Sequence, residues 1–234
     1  MSVLVEGRPA ADKGDSPRSA RVAAKHAEIR SRIFDVSMAI LLSQGHGALK
    51  ARDVARAADC SLGIFYTVVK DMDEVALHLK DLALSELEAA LLDAIGAVPA
   101  APASAPDRLL ALAQAYAAFA RDQQNLWGML FRHRIQAEAL PEWYVARLDA
   151  IFGYIEEPLA EIAPQCGEAA RKGFGRALFS AVHGIVSIGL EEKLGVVPRQ
   201  DLHWRLRAVV ASVISGLSWD GTTILGDEGV SALG

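Results

Sequence analysis

From Ile29 onward, apolar residues recur at intervals of three and four. Ile29, Ile33, Val36 and Ile40 fall on one helical face, and no strongly alternating stretch appears anywhere in the chain. No proline occurs between Pro17 and Pro99, so helices there can run unbroken and pack closely. This period constrains the chain to an all-α fold. Alanine and leucine dominate and aromatics are only 6%, while 52% hydrophobic and 23% charged residues suffice for a sizeable core.

Breaks in the pattern divide the chain. Residues 1–24 carry Gly, Pro, Ser and charge without periodicity and read as a flexible basic arm. A three-helix unit is expected over 25–71, its first helix ending at Gly45 and Gly47. A connecting helix over 72–98 is marked by Val75, Leu79, Leu82, Leu87, Leu91 and Ile95 and closes at Gly96. PAAPASAP at 99–106 reads as a linker. The body, 107–234, is expected to be helical near 106–122, 124–137, 141–163, 167–194 and 199–224, with Pro141, Pro164 and the Gly195–Pro198 turn as punctuation. Cys60 and Cys166 have no metal-ligand or disulfide-framework spacing. No signal-type h-region and no apolar run of bilayer length is visible, so a cytoplasmic protein is expected.

Charge is unevenly placed. Residues 1–80 hold 12 Lys and Arg against 10 Asp and Glu, whereas residues 81–234 hold 12 against 19. Arg18, Arg21, Lys25, Arg30 and Arg32 face only Glu28 in their stretch. An N-terminal nucleic-acid contact is one reading of this asymmetry, and a solvated basic face is the other.

The stretch AADCSLGIFYTVVKDMDE, residues 57–74, decides more. Val54, Ala55, Ala58, Cys60, Phe65 and Val68 are spaced to fill the corner between two short helices crossing steeply, with Ala55 small enough for a close approach. Phe65 then points inward and Tyr66, about 100° further round, points outward. Ser61 is placed to cap the second helix, and Gly63 leaves room in its first turn for a close neighbour. A helix N-terminus and an exposed tyrosine hydroxyl both suit phosphate. The expected DNA contacts of this unit, spanning 50–69, are Lys50, Arg52, Ser61, Leu62, Gly63, Ile64, Tyr66, Thr67 and, just beyond it, Lys70.

Residues 25–80 resemble the DNA-binding domain of the TetR family of transcriptional repressors. The matching pieces are Ile33 to Gly45, Arg52-Asp53-Val54-Ala55, Ala58, Ser61, Gly63, Phe65-Tyr66 and the fourth helix from Val75. The resemblance implies a homodimer bound to double-stranded DNA at a palindromic operator. It also implies a small-molecule effector held in the C-terminal body, and dimerisation through the last two helices, 167–194 and 199–224. Four positions depart from the family's habit: Asp59 stands where Gly is usual, Lys50 where a Ser or Thr cap is common, Val69 for an aromatic and Met72 for a phosphate-binding Lys.

In the body, Tyr116, Phe119, Trp127, Phe131, Trp143, Phe152, Phe179 and His183 are the expected lining of an apolar effector pocket, for which ordinary core is the competing reading. Small residues through 173–189 suit close helix packing. No enzyme motif is complete: GFGRAL at 173–178 follows no strand, and GLSWD at 216–220 lacks the last glycine of a nucleophile elbow. The expectation is a non-enzymatic regulator, a repressor released by its effector, with no cofactor and no metal. The alternative is a helical ligand-binding protein or enzyme with a structural N-terminal unit.

Overall fold

The computed structural model describes residues 17–99, 101–190 and 201–217. Among them are nine α-helices and no strand: α1 (Pro17–Gln44), α2 (Ala51–Ala57), α3 (Leu62–Val68), α4 (Met72–Gly96), α5 (Ala105–Asp122), α6 (Gln124–Phe131), α7 (Glu142–Ile162), α8 (Glu168–Leu190) and α9 (Leu202–Leu217). The all-α expectation holds. Helix α1 starts earlier than its apolar stripe suggested, so residues 17–24 are helix and not arm; residues 1–16 lie outside the described residues. Ala20, Ala23, Ala24 and Ala27 supply helix propensity there while the side chains of 18–25 stay exposed. A helix without a buried face leaves no periodic signal.

Helices α1 to α3 close around Ile33, Leu41, Val54 and Phe65, all fully buried, and the start of α4 adds Val75 and Leu79. The corner between α1 and α2 turns at Gly45, whose φ of 79° suits glycine. Its N–H donates to Leu41 O at 2.9 Å. Helix α6 of the body docks on this corner. Asn125 Nδ2 donates to Leu42 O at 2.9 Å, and a Cβ on Gly45 would lie 3.0 Å from Asn125 Oδ1.

The body is built around α5, which packs against α4, α6, α7, α8 and α9. Three expectations are corrected here. Helix α6 stops at Phe131, not near 137, because residues 132–137 find other hydrogen-bond partners: His133 N donates to Gly128 O at 3.1 Å. The Asp73 carboxylate accepts from Gln136 N at 2.9 Å and Ala137 N at 2.8 Å. The 99–106 stretch contains a short 3₁₀ turn at Pro102–Ser104, and α5 already begins at Ala105. Arg108, buried, fixes that stretch by donating to Ala101 O at 3.0 Å and pairing with Glu161 of α7. Helix α8 has a mean hydropathy of 1.3 over 18 residues, long and apolar enough to cross a bilayer, which short runs in the sequence had concealed. In the fold it packs against α9, α7 and α5. The Gly195–Pro198 turn and residues 218–224 of the last expected helix fall outside the described residues.

Candidate nucleic-acid interface and ligand cavity

Helices α2 and α3 form a helix-turn-helix whose inner and outer residues separate cleanly. Phe65 has no exposed surface, while Tyr66 beside it is 52% exposed. The turn needs one left-handed residue, and Asp59 supplies it at φ 52°. Asp tolerates that region better than most residues, which accounts for a sequence without the usual glycine. Ser61 caps α3: its Oγ accepts from Ile64 N at 3.2 Å. Thr67 Oγ1 donates to Gly63 O at 2.9 Å. Gly63, Ile64, Tyr66 and Thr67 are exposed with Ser61, and Leu62 is half-buried against the core. A Cβ on Gly63 would meet nothing nearer than Ser61 Oγ at 3.9 Å, so no internal contact requires glycine there.

Around this face, Arg52 and Lys50 are exposed at the start of α2, and Lys50 occupies the cap position without a side-chain cap bond. Lys70 is exposed just past α3. Val69 is buried in the core of the head. Met72 is half-buried against the core at the first position of α4. Arg30 braces the head from its surface: its Nη1 donates to Val68 O at 2.9 Å, its guanidinium pairs with Glu74 and lies 5.1 Å from the Phe34 ring. Glu74 in turn accepts from Lys70 N at 2.7 Å, and Asp71 caps α4 by accepting from Glu74 N at 2.9 Å. The end of the recognition helix is thus tied to the first turn of α4, whose acidic residues suit the helix dipole.

The body contains a cavity of about 610 Å³ bounded by α4, α5, the end of α6, the 132–140 segment, α7 and α8. That size is within the range of small-molecule sites. Of the residues expected to line it, Tyr116, Phe131, Phe152 and Phe179 do so. Trp127 and His183 stand behind this wall. Trp127 Nε1 donates to Tyr116 Oη at 2.8 Å, the Tyr116 hydroxyl and His183 Nδ1 are 2.6 Å apart, and the His183 and Trp127 rings stack at 5.5 Å. Burial pushes the Tyr116 hydroxyl pKa far up and the His183 pKa down, so both stay neutral near pH 7. Phe119 is core and does not reach the cavity. Trp143 is 51% exposed at the start of α7 and also lies off it.

Several lining residues were not anticipated: Lys80, Leu84, Leu87 and Leu91 of α4, and Arg134 of the non-helical segment; Tyr144 of α7 and His133 line the cavity too. Lys80 is 5% exposed and donates to Met129 O at 2.7 Å and Leu130 O at 2.8 Å, the free carbonyls at the end of α6. Burial lowers its pKa to about 8. Its spacing from Leu84, Leu87 and Leu91, four, seven and eleven residues on, was the available signal: a lysine on the apolar face of a helix. His133 and His46 lie with rings 5.8 Å apart beside it, and burial foremost lowers the pKa of both.

No curated protein matches the chain by sequence. Among solved structures, a protein of unknown function from Rhodococcus sp. RHA1 is similar at 20% identity, covering 80% of this chain and 94% of its own, with a TM-score of 0.63. FadR of Thermus thermophilus, a TetR-family repressor in complex with lauroyl-CoA, is similar at 19% identity over 84% and 99% of the two chains, with a TM-score of 0.57. FadR of Bacillus subtilis, in complex with stearoyl-CoA, is similar at 13% over 80% and 96%, with a TM-score of 0.52. Residues 109–211 match the tetracyclin repressor-like C-terminal domain family. Residues 109–211 thus carry the C-terminal domain of tetracyclin repressor-like proteins, and with the helix-turn-helix before it the chain has the fold of TetR-family transcriptional regulators.

Proposed function

We propose that this protein is a homodimeric repressor that reads a palindromic operator with α3 and is released when an apolar effector fills the body cavity. The carrying observation is the exposed face of Gly63, Ile64, Tyr66 and Thr67 held over a fully buried Phe65. Lys50, Arg52 and Lys70 flank it and suit phosphate. Two such faces in a symmetric dimer meet successive major grooves about one helical turn apart. For the dimer, the exposed Ile188 of α8 and Trp204 of α9 support the last two helices as the shared face.

A mostly aliphatic and aromatic cavity favours an effector with a long apolar part, and acyl-CoA complexes of two proteins of the same fold point the same way. A linkage between cavity and head is supported by α4. Its first turn holds the end of α3 through Glu74, while Asp73 of the same turn holds Gln136 and Ala137 of the cavity rim. A ligand that moves the rim therefore acts on the helix that sets the head. Release requires only that the effector bind the DNA-incompetent arrangement more tightly.

The test is selection of bound sequences from a randomised duplex pool with the full-length protein at moderate salt. The expected result is a palindrome whose binding is lost in Tyr66→Ala while the protein stays dimeric. Absence of enrichment at every salt concentration, or an unchanged Tyr66→Ala, would refute the reading.

A further inference from the structure

We propose that the cavity takes an elongated apolar molecule ending in an anionic head, and that Lys80 is the residue that receives the head. This rests on the cavity being the effector site and specifies the ligand it selects. Lys80 and Leu91 both line the cavity on one face of α4, eleven residues or ~16 Å apart along the helix. Between and beyond them α4 contributes only Leu84 and Leu87, and α5 opposite contributes Leu109, Leu112 and Ala113 before Tyr116. The Tyr116 hydroxyl is already engaged by Trp127 and His183. One end of a long cavity is therefore aliphatic, and the other carries a buried ammonium.

Among the described residues that ammonium is incompletely matched. It has three donors, and the carbonyls of Met129 and Leu130 take two. Among the described residues, no carboxylate lies within ion-pair distance of it. A charge removed from water and held only by neutral carbonyls gains most from an anion. The surrounding ionisable groups do not supply one. His133 and His46 have lowered pKa values and add no negative charge, and Arg132 and Arg134 are cations. Asp73 is committed to two rim amides. Tyr144 is held protonated by burial. Glu138 lines the exposed rim as the one acid of the wall, opposite in effect to Arg134 four residues earlier.

The experiment is calorimetric titration of the full-length protein with three probes of equal chain length: dodecanoate, methyl dodecanoate and dodecan-1-ol. Dodecanoate is expected to bind at least tenfold more tightly than either neutral probe at pH 7. The preference is expected to shrink above about pH 8, where Lys80 loses its proton. In Lys80→Met, with helix content checked by circular dichroism, the three probes are expected to bind alike. Equal binding of charged and neutral probes to the wild type overturns the head-group assignment while leaving the cavity as an effector site. Preference for methyl dodecanoate over dodecanoate points to a neutral carbonyl head and also overturns it. Persistence of the anion preference in Lys80→Met moves the head to another residue. Binding of none of the three overturns both this inference and the cavity's role as a site for long apolar effectors. Because the wild-type comparison needs no variant, a Lys80→Met protein that fails to fold does not blunt the test.

Discussion

Replacing Gly63 by alanine separates the needs of the fold from those of DNA. Gly63 is the second residue of α3, and its backbone is ordinary helix, since the only positive φ values among the described residues are at Gly45 and Asp59. A Cβ there would meet nothing closer than 3.9 Å. Alanine in place of glycine in a helix stabilises by about 0.5–1 kcal/mol, and the first turn puts this case at the low end. For a chain of this size that raises Tm by about 1–2 °C. On DNA the sign reverses. With α3 on DNA as proposed, the new methyl group would occupy space at the capped N-terminus where a phosphate or base edge approaches, so affinity for the selected duplex is expected to fall at least tenfold, ~1.4 kcal/mol. If the loss includes a backbone-amide contact to phosphate, the salt slope is less affected than by losing a lysine, because counterion release follows the cations. Thermal unfolding and fluorescence anisotropy at several salt concentrations measure both halves. A lower Tm would show that the glycine serves the fold, and unchanged affinity would show that this turn does not approach DNA. Either result refutes the reasoning.

The other predictions use buried groups. Phe65→Ala removes the fully buried plug of the head and is expected to cost about 3–5 kcal/mol, read as early loss of the N-terminal unit in urea unfolding. An unfolding midpoint like that of wild type would place Phe65 outside the core. Stability is also expected to rise between about pH 8 and pH 10. Lys80 has a folded pKa of about 8, below its unfolded value near 10.4, so the unfolded chain binds the extra proton in that window. Above about pH 10 the sign reverses, because Tyr116 and Tyr144 titrate higher when folded and the unfolded chain releases their protons first. Urea midpoints against pH should show this rise, and Lys80→Met should flatten it. A rise that survives in Lys80→Met would mean another group carries it.

What the sequence disclosed and what it hid follow from how each feature is held. The helix-turn-helix was legible because its contacts are local. Ser61 reaches Ile64, Phe65 and Tyr66 are adjacent, and the core positions from Val54 to Val68 lie within fifteen residues. Asp59 as the left-handed turn residue was legible only through the resemblance, which has Gly at that position. The cavity was legible only as a list of aromatics, half of which line it. Aromatic type says that a side chain will be buried, but which layer it occupies is set by helices far away in sequence. Trp127 and Phe131 are four residues apart on one helix, yet Phe131 is wall and Trp127 backs it.

The end of α6 escaped for a related reason. Nothing in residues 124–137 forbids helix throughout, and the competing partner is a carboxylate more than sixty residues earlier, Asp73. By holding that segment out of helix, Asp73 turns it into the cavity rim and leaves the last carbonyls of α6 for Lys80. Two residues seven apart on α4 thus shape the rim together, one accepting from its amides and the other donating to the helix before it. Arg30 and Glu74 fasten the same first turn to the recognition helix. Any ligand that pulls on Lys80 strains the bonds that end α6, and α6 is the helix docked on the head at Leu42 and Gly45. On the proposal that Lys80 receives an anionic head, an anion on its third donor would act on the side chain whose other two donors hold the end of α6, and so on the helix docked against the head.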